Sequence, residues 1–292
     1  MLLEYALVSG LLFGVFYALL ASGLNLAFGM QRIVNLAHGD VVMLGGFGAW
    51  ELYYGFGVPP LVTLLIVVPL AVAAGFLLFQ AVTPRLSRSD DPEMLSLVLF
   101  FGISQTIEAA AALTLSNNQR SLPSSSLAGH PMTIAGQTYP GTLVVSAIVS
   151  LPILAALFLY LYRSPLGRAT RAVMADPQEA AAVGIAVKRV SSLSFGVSLA
   201  LAAMAGVLGI FLFGGASPSE GVGLTVISFA VIVLGSLGNP LGTLVGGVVY
   251  GIAYELTQTY LSSWADLVPY VLLLVVMLTR PSGLLGRSAR RA

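Results

Sequence analysis

Six side chains able to do chemistry lie in otherwise apolar stretches: Asn25, Asn35, His38, Asp40, Gln105 and Glu108. Polar and ionisable groups in such stretches are costly, so they face a cavity or a partner. His38 and Asp40 flank a single glycine. That spacing suits a sharp turn better than an active site, and no convincing nucleophile or metal set accompanies them. Gln105 and Glu108 lie about one turn apart on one helical face. They fit a cavity-lining stripe or an interface with another subunit equally well. Asn25 and Asn35 fit either a solute path or hydrogen bonds to neighbouring helices. Arg32 either pairs with Asp40 or snorkels to an interface. These six residues are the candidates for lining a path for solute.

Other chemistry is excluded more firmly. The chain has no Cys, which removes disulfides, thiolate metal sites and cysteine nucleophiles. Two His, at positions 38 and 130, make a histidine-rich metal site a poor expectation. The single lysine, Lys188, lies between Val187 and Arg189, so no Gly-Lys-Ser/Thr phosphate loop exists. We therefore expect no catalytic residues, no metal and no cofactor in this chain. The net charge of +1 suggests no nucleic-acid partner.

The elements holding these groups follow from composition. Charged residues make up 9% of the chain and hydrophobic ones 57%, with a mean hydropathy of +0.94. Soluble domains carry about 25% charged residues, so much of this apolar surface must face lipid. Apolar stretches near the length of about 20 residues that spans a bilayer occur at 5–30, 33–54, 60–83, 93–115, 141–162 and 192–215. Residues 222–280 read as two or three more, with breaks near Gly238-Asn239-Pro240 and between Ser262 and Asp266. The expectation is an all-α, polytopic transmembrane bundle of about eight or nine segments, some re-entrant or interrupted, forming one membrane domain over 1–292. The N-terminus lacks a basic region and reads as a retained helix, not a cleaved signal.

Charge sets the sidedness. Arg85 and Arg88, then Arg163, Arg168, Arg171, Lys188 and Arg189, then Arg280, Arg287, Arg290 and Arg291 mark three inside segments. The loop at 116–140, with Arg120 as its one basic residue, is outside. The orientation of the N-terminus stays open. Trp50, Trp264, Tyr53, Tyr54, Tyr260 and Tyr270 fall mostly near segment ends and read as interfacial anchors; an aromatic solute cage has no support here. Glu255, with Tyr254 and Gln258 nearby, reads as helix packing. A faint echo links Gly23 to Gly46 with Gly223 to Gly247: both open with Gly-Leu, pass a polar interruption and close on Gly-Gly. Paired interrupted segments can mark a solute site, and small-residue helices also look alike for packing reasons alone.

The loop at 163–191 is too polar to cross a membrane. In it, Asp176-Pro177-Gln178-Glu179 is a helix start, with Asp176 as cap, Pro177 at the first helical position and Glu179 where a capping-box acid belongs. Gly184 is the expected stop. A helix of about seven or eight residues is marginal alone in water, and Ala180, Ala181, Ala182 and Val183 gain nothing from facing solvent. The helix should dock onto something.

Glu179-Ala180-Ala181 followed by Gly184 resembles the EAA loop of ABC importer permeases. Ala18 to Gly29, Ile33 to Asp40, Ser164 to Ala172, Phe229 to Asn239, Val245 to Gly247 and Arg280 to Gly286 together resemble the branched-chain amino acid permease family, in order and over nearly the whole chain. The stretch Phe101 to Ala109 departs from the family's pattern at Glu108, which puts the solute in question, since the family also includes permeases for urea and short amides.

The resemblance implies a permease subunit of an ATP-driven importer in a bacterial plasma membrane, multi-pass, with the C-terminus and 163–191 cytoplasmic. It implies a second homologous permease, two cytoplasmic ABC ATPase subunits and an extracytoplasmic solute-binding protein. Asp176, Glu179, Ala180, Ala181 and Gly184 would couple to the ATPase. A zwitterionic solute would need donors and acceptors that interrupted helix ends can supply. An ion-coupled secondary transporter using Asp40 and Glu108 is the rival, and the docking loop argues against it.

Overall fold

The computed structural model describes residues 1–31, 35–86, 91–115, 117–134 and 136–286. Arg32 and Arg88, and Arg287, Arg290 and Arg291, lie outside the described residues.

Long apolar runs give α1 (Leu2–Gln31), α2 (His38–Phe56), α3 (Pro60–Leu86), which continues through Pro69, and α4 (Pro92–Leu115). After a loop come α5 (Gly141–Arg163), α6 (Pro165–Ala175), α7 (Pro177–Ala182), α8 (Val187–Leu212), α9 (Gly221–Gly235), α10 (Pro240–Tyr260) and α11 (Val268–Thr279). Among the described residues, seven segments are long and apolar enough to cross a membrane: α1, α3, α4, α5, α8, and α9 and α11 with the 3-10 turns that precede them. α2 and α10 have 19 and 21 residues. Glycines, tyrosines and polar groups dilute their hydropathy, which suits helices packed among others. This is the all-α polytopic bundle expected.

Burial separates centre from rim. In α8, 78% of the apolar window is buried, against 11% in α3, so α8 is central and α3 presents most of its surface to lipid. Without a hydrophobic drive between helices in lipid, small residues that permit backbone approach hold the centre together. α10 runs antiparallel along α1 on such a seam. A Cβ added at Gly10 would lie 2.7 Å from the Ile252 Cα, and one at Gly14 2.7 Å from the Val248 Cα. From the opposite side, one at Gly247 would lie 2.6 Å from the Ala18 nitrogen. Gly45 and Gly206 play the same part between α2 and α8, and Gly75 and Gly196 between α3 and α8.

The two ends of the bundle can be told apart. Tyr5, near the start of α1, stacks on Tyr139 at 5.0 Å. Tyr139 closes a small antiparallel hairpin, β1 (Met132–Ile134) and β2 (Gln137–Tyr139), an element the helical patterning does not foreshadow. At this end Arg120 exchanges backbone hydrogen bonds with Ala216 and lies 4.4 Å over the Trp50 ring. At the other end Met30 clusters with Val173, Ala180 and Val190. The segment after α11 returns to this second end, where the Leu284 and Leu285 amides donate to the Leu234 and Gly235 carbonyls and Gly283 lies against Ser236. The start of α1 thus shares an end with the 117–140 loop, and residues 165–190 share the opposite end with residues 280–286.

Candidate functional site

The polar loop holds two helices. α6 starts on Ser164, whose Oγ accepts from the Gly167 amide at 2.9 Å. Gly167 packs directly on the Tyr160 carbonyl, where a side chain would collide. Thr170 lies 3.2 Å from the Tyr160 hydroxyl and 3.0 Å from the Ser194 hydroxyl, tying α6 to both α5 and α8. Arg171 donates from Nε to the Leu161 carbonyl at 2.9 Å and stacks over Tyr162.

α7 follows at once. Asp176 Oδ1 accepts from the Gln178 and Glu179 amides at 2.7 and 3.0 Å, satisfying two of the orphan donors of the first turn. The Asp176 amide already donates to the Ala172 carbonyl at the end of α6, so the Glu179 carboxylate is not needed as the second half of a capping box. Gly184 takes the left-handed conformation, φ +85°, and the Ile185 amide closes the helix on the Ala180 carbonyl, a glycine stop of Schellman type. The helix has six residues, slightly fewer than expected. Ala180 is buried against Met30, Val173 and Val190. Glu179, Ala181 and Ala182 are exposed, and Val183 is 77% exposed. One face of α7 is stapled to the bundle; the other presents small residues and one acid.

The second feature is a pair of interrupted helices. His38 begins α2 and its Nε2–H donates to the Leu20 carbonyl at 2.9 Å, while its ring lies against Gly23. Leu20 precedes the end of α1 by eleven residues, which at about 1.5 Å per residue is about 16 Å of depth. α2 therefore starts deep in the bundle, not at its surface. Asn35 prepares this start locally: its Oδ1 accepts from the Ala37 amide at 3.1 Å and its carbonyl from the His38 amide at 3.2 Å. Asn25 acts across the bundle. Its Oδ1 accepts from the Gly238 amide and its Nδ2 donates to Thr243 Oγ1, both at 2.7 Å, so it ties α1 to the break between α9 and α10. The reverse tie comes from Thr225 on α9, whose Oγ1 accepts from the Gly39 amide at 2.8 Å and donates to the Leu36 carbonyl at 3.0 Å. Asn25 and Thr225 hold matching places after the Gly-Leu of the two echoing segments. Each secures the other's break.

Asp40 is fully buried, and among the described residues no hydrogen bond of good geometry reaches its carboxylate oxygens or the His38 Nδ1. The carboxylate lies against Gly221, the first residue of α9, and Ser104 and Glu108 of α4 are the polar groups that act on it. Gln105 is exposed and donates to Glu108 at 3.3 Å. The structure thus brings His38, Asp40 and Glu108 towards one place, gives Asn25 to the other break, and leaves Gln105 outward. Glu255 accepts from Ser9 at 2.9 Å, pinning α10 to α1.

A cavity of about 350 Å³ opens between α1, α9, α10 and α11, walled by Tyr17, Tyr250, Tyr254 and Tyr270 with Glu220 and Asp266. Sequence reasoning passed over these residues as a set. The Tyr250-to-Tyr254 spacing on one helix was the only local signal, because the rest of the wall is assembled from distant segments.

The family described as branched-chain amino acid transport system / permease component matches residues 6–277. The chain belongs to this permease family. It is 29% identical over 290 residues to the high-affinity branched-chain amino acid transport system permease protein LivH of Escherichia coli K12, covering 96% of this chain and 94% of that one. It is also 29% identical over 294 residues to the corresponding protein BraD of Pseudomonas aeruginosa, covering 96% and 95%. The permease protein LivM of E. coli K12 is 26% identical over 298 residues, covering 92% of this chain and 67% of that one. No solved structure gives a significant match. The permease is accordingly a multi-pass membrane protein with a role in amino-acid import, and the polar helices described above belong to a transport subunit.

Proposed function

We propose that this chain is one permease subunit of an ATP-driven importer that carries leucine, isoleucine and valine across a bacterial plasma membrane. Residues 1–292 act as one permease domain, with 163–191 as its coupling loop and the C-terminus on the same cytoplasmic side. A second homologous permease completes the membrane path, two ATPase subunits grip the coupling loops, and a soluble binding protein delivers solute to the opposite face. The similarity to both LivH and LivM supports pairing of two related permeases.

The observation that carries this reading is the exposed face of α7. A six-residue helix is not stable by itself, yet this one is capped at both ends and clamped by Ala180. Its outward residues, Glu179, Ala181, Ala182 and Val183, are exposed among the described residues. Small residues permit close seating in a groove, and Glu179 offers a charge to a basic partner. Force on α7 would reach α1, α5 and α8 through Met30, Tyr160, Thr170 and Ser194, which is rigid-body gating of one bundle against another. Asn25, Asn35, His38, Asp40, Gln105 and Glu108 are proposed to shape the path that this motion opens.

The test uses the assembled importer in proteoliposomes. Glu179→Lys should leave insertion and assembly intact and reduce ATP-driven leucine uptake at least tenfold. In this cysteine-free chain, Ala181→Cys should cross-link to a cysteine placed in the ATPase groove. Normal uptake by the lysine variant, or uptake without any ATPase, would refute the reading. Transport of urea or acetamide in place of leucine would keep the importer and replace the solute.

A further inference from the structure

Two cavities of comparable size interrupt the bundle, and they differ in chemistry. One, about 420 Å³ between α3, α5 and α8, is walled by Val68, Val72, Pro152, Ala156, Val197 and Met204. Apart from Tyr160 its wall is apolar, and it suits a lipid tail. The other holds about 350 Å³, within the range of about 300–1,000 Å³ common to small-molecule sites, and has a graded polar wall.

At the mouth of this second cavity stands Asp266, exposed in the turn between α10 and α11. Deeper lies Glu220, half-buried at the position before α9. Tyr250 is fully buried at the base, and its hydroxyl has no hydrogen-bond partner. Tyr17 meets Tyr250 edge to face at 4.7 Å, and Tyr254 stacks on Tyr250 at 6.2 Å. Asp266 lies within electrostatic reach of both Tyr250 and Tyr254. The first turn of α9 forms another part of the wall: Gly223 lines the cavity, and a side chain there would meet open space. No side chain caps that turn. Leu224 and Ile227 continue the same wall with branched apolar groups.

We propose that this cavity is a binding site for a small zwitterion with a branched apolar side chain, entered from the end of the bundle opposite the coupling loop. The inference rests on the importer reading and adds the place where solute is held. Aromatic faces and carboxylates attract an ammonium group, which assigns that end to Asp266 and Glu220 beside Tyr254. The Tyr250 hydroxyl, buried and unpartnered at the base, supplies a donor for a carboxylate, away from Asp266 at the mouth. Leu224 and Ile227 take the side chain. An acyl chain would leave the buried Tyr250 hydroxyl unsatisfied, which argues against a lipid as the natural occupant.

The test is photolabelling of the assembled importer in nanodiscs, without ATP, using a diazirine analogue of leucine. Label should map to peptides spanning 213–227 and 250–270, and excess leucine should remove it. Glu220→Gln with Asp266→Asn should lower that labelling at least tenfold and raise the KM for leucine uptake similarly, with basal ATP hydrolysis and complex assembly unchanged. Tyr250→Phe, which keeps the packing, should weaken labelling several-fold. Label confined to α4, label not displaced by leucine, or wild-type labelling and KM in the double variant would each overturn the site. Because labelling reads binding alone, an importer that binds leucine here yet shows no ATP-driven uptake would sink the transport reading and leave the site standing.

Discussion

At the scale of single residues, the two asparagines singled out together prove to have different work. Asn35 bonds within its own turn, two residues along. Asn25 reaches across 213 positions to the Gly238 amide. Removing a partner from a buried donor costs about 1–3 kcal/mol, so Asn25→Ala should lower the stability of the detergent-solubilised permease by about that amount. Thr225→Val should act similarly, since it strips the acceptor from the Gly39 amide. Thermal unfolding of both variants beside wild type measures this, and unchanged midpoints would show that the cross-ties carry no stability. Asp40 follows a different logic. Among the described residues its carboxylate has no hydrogen bond of good geometry, but it sits in the first turn of α2 and against the first residue of α9, where two positive helix ends partly offset the loss.

At the scale of elements, α7 shows local chemistry prevailing. Its cap, its proline and its glycine stop are all within ten residues, so the helix and its ends could be read from the chain. Loss of an N-cap costs about 0.5–2 kcal/mol, a large share of what holds a six-residue helix. Asp176→Ala should therefore fray α7 and lower leucine uptake while assembly in the membrane persists, and uptake equal to wild type would show that the cap is dispensable. What was not legible is that α6 is a separate helix packed on α5 and α8, because its partners Tyr160 and Ser194 lie on two other helices. The seam between α1 and α10 makes the same point. Gly10 and Gly14 on one helix and Gly247 and Gly251 on the other allow the backbones to touch, but nothing in either segment says which helix the other will meet.

At the scale of the whole molecule, sidedness becomes a geometric matter. Tyr5 on Tyr139 puts the start of α1 with the 117–140 loop, an orientation that charge counting left open because the second apolar segment is interrupted by Asn35, His38, Gly39 and Asp40. With no native cysteine, Leu3→Cys and Ser125→Cys should react with a membrane-impermeant maleimide added to intact cells, and Ser282→Cys only after permeabilisation. Labelling of Leu3→Cys and Ser282→Cys from one side would contradict the arrangement. Taken alone, the chain's composition, apolar run lengths and arginine-rich loops determined a polytopic helical membrane protein with a short capped helix at 177–182 in its largest basic loop. These depend on lipid solvation and on contacts a few residues apart, both of which are written locally. The deep start of α2, the reciprocal bonding of the two breaks and the aromatic cavity with its carboxylates were decided only by tertiary structure. Each is made of groups from three or more segments, and in a bundle whose helices are all apolar, hydropathy does not specify which faces come together; close packing of small residues does.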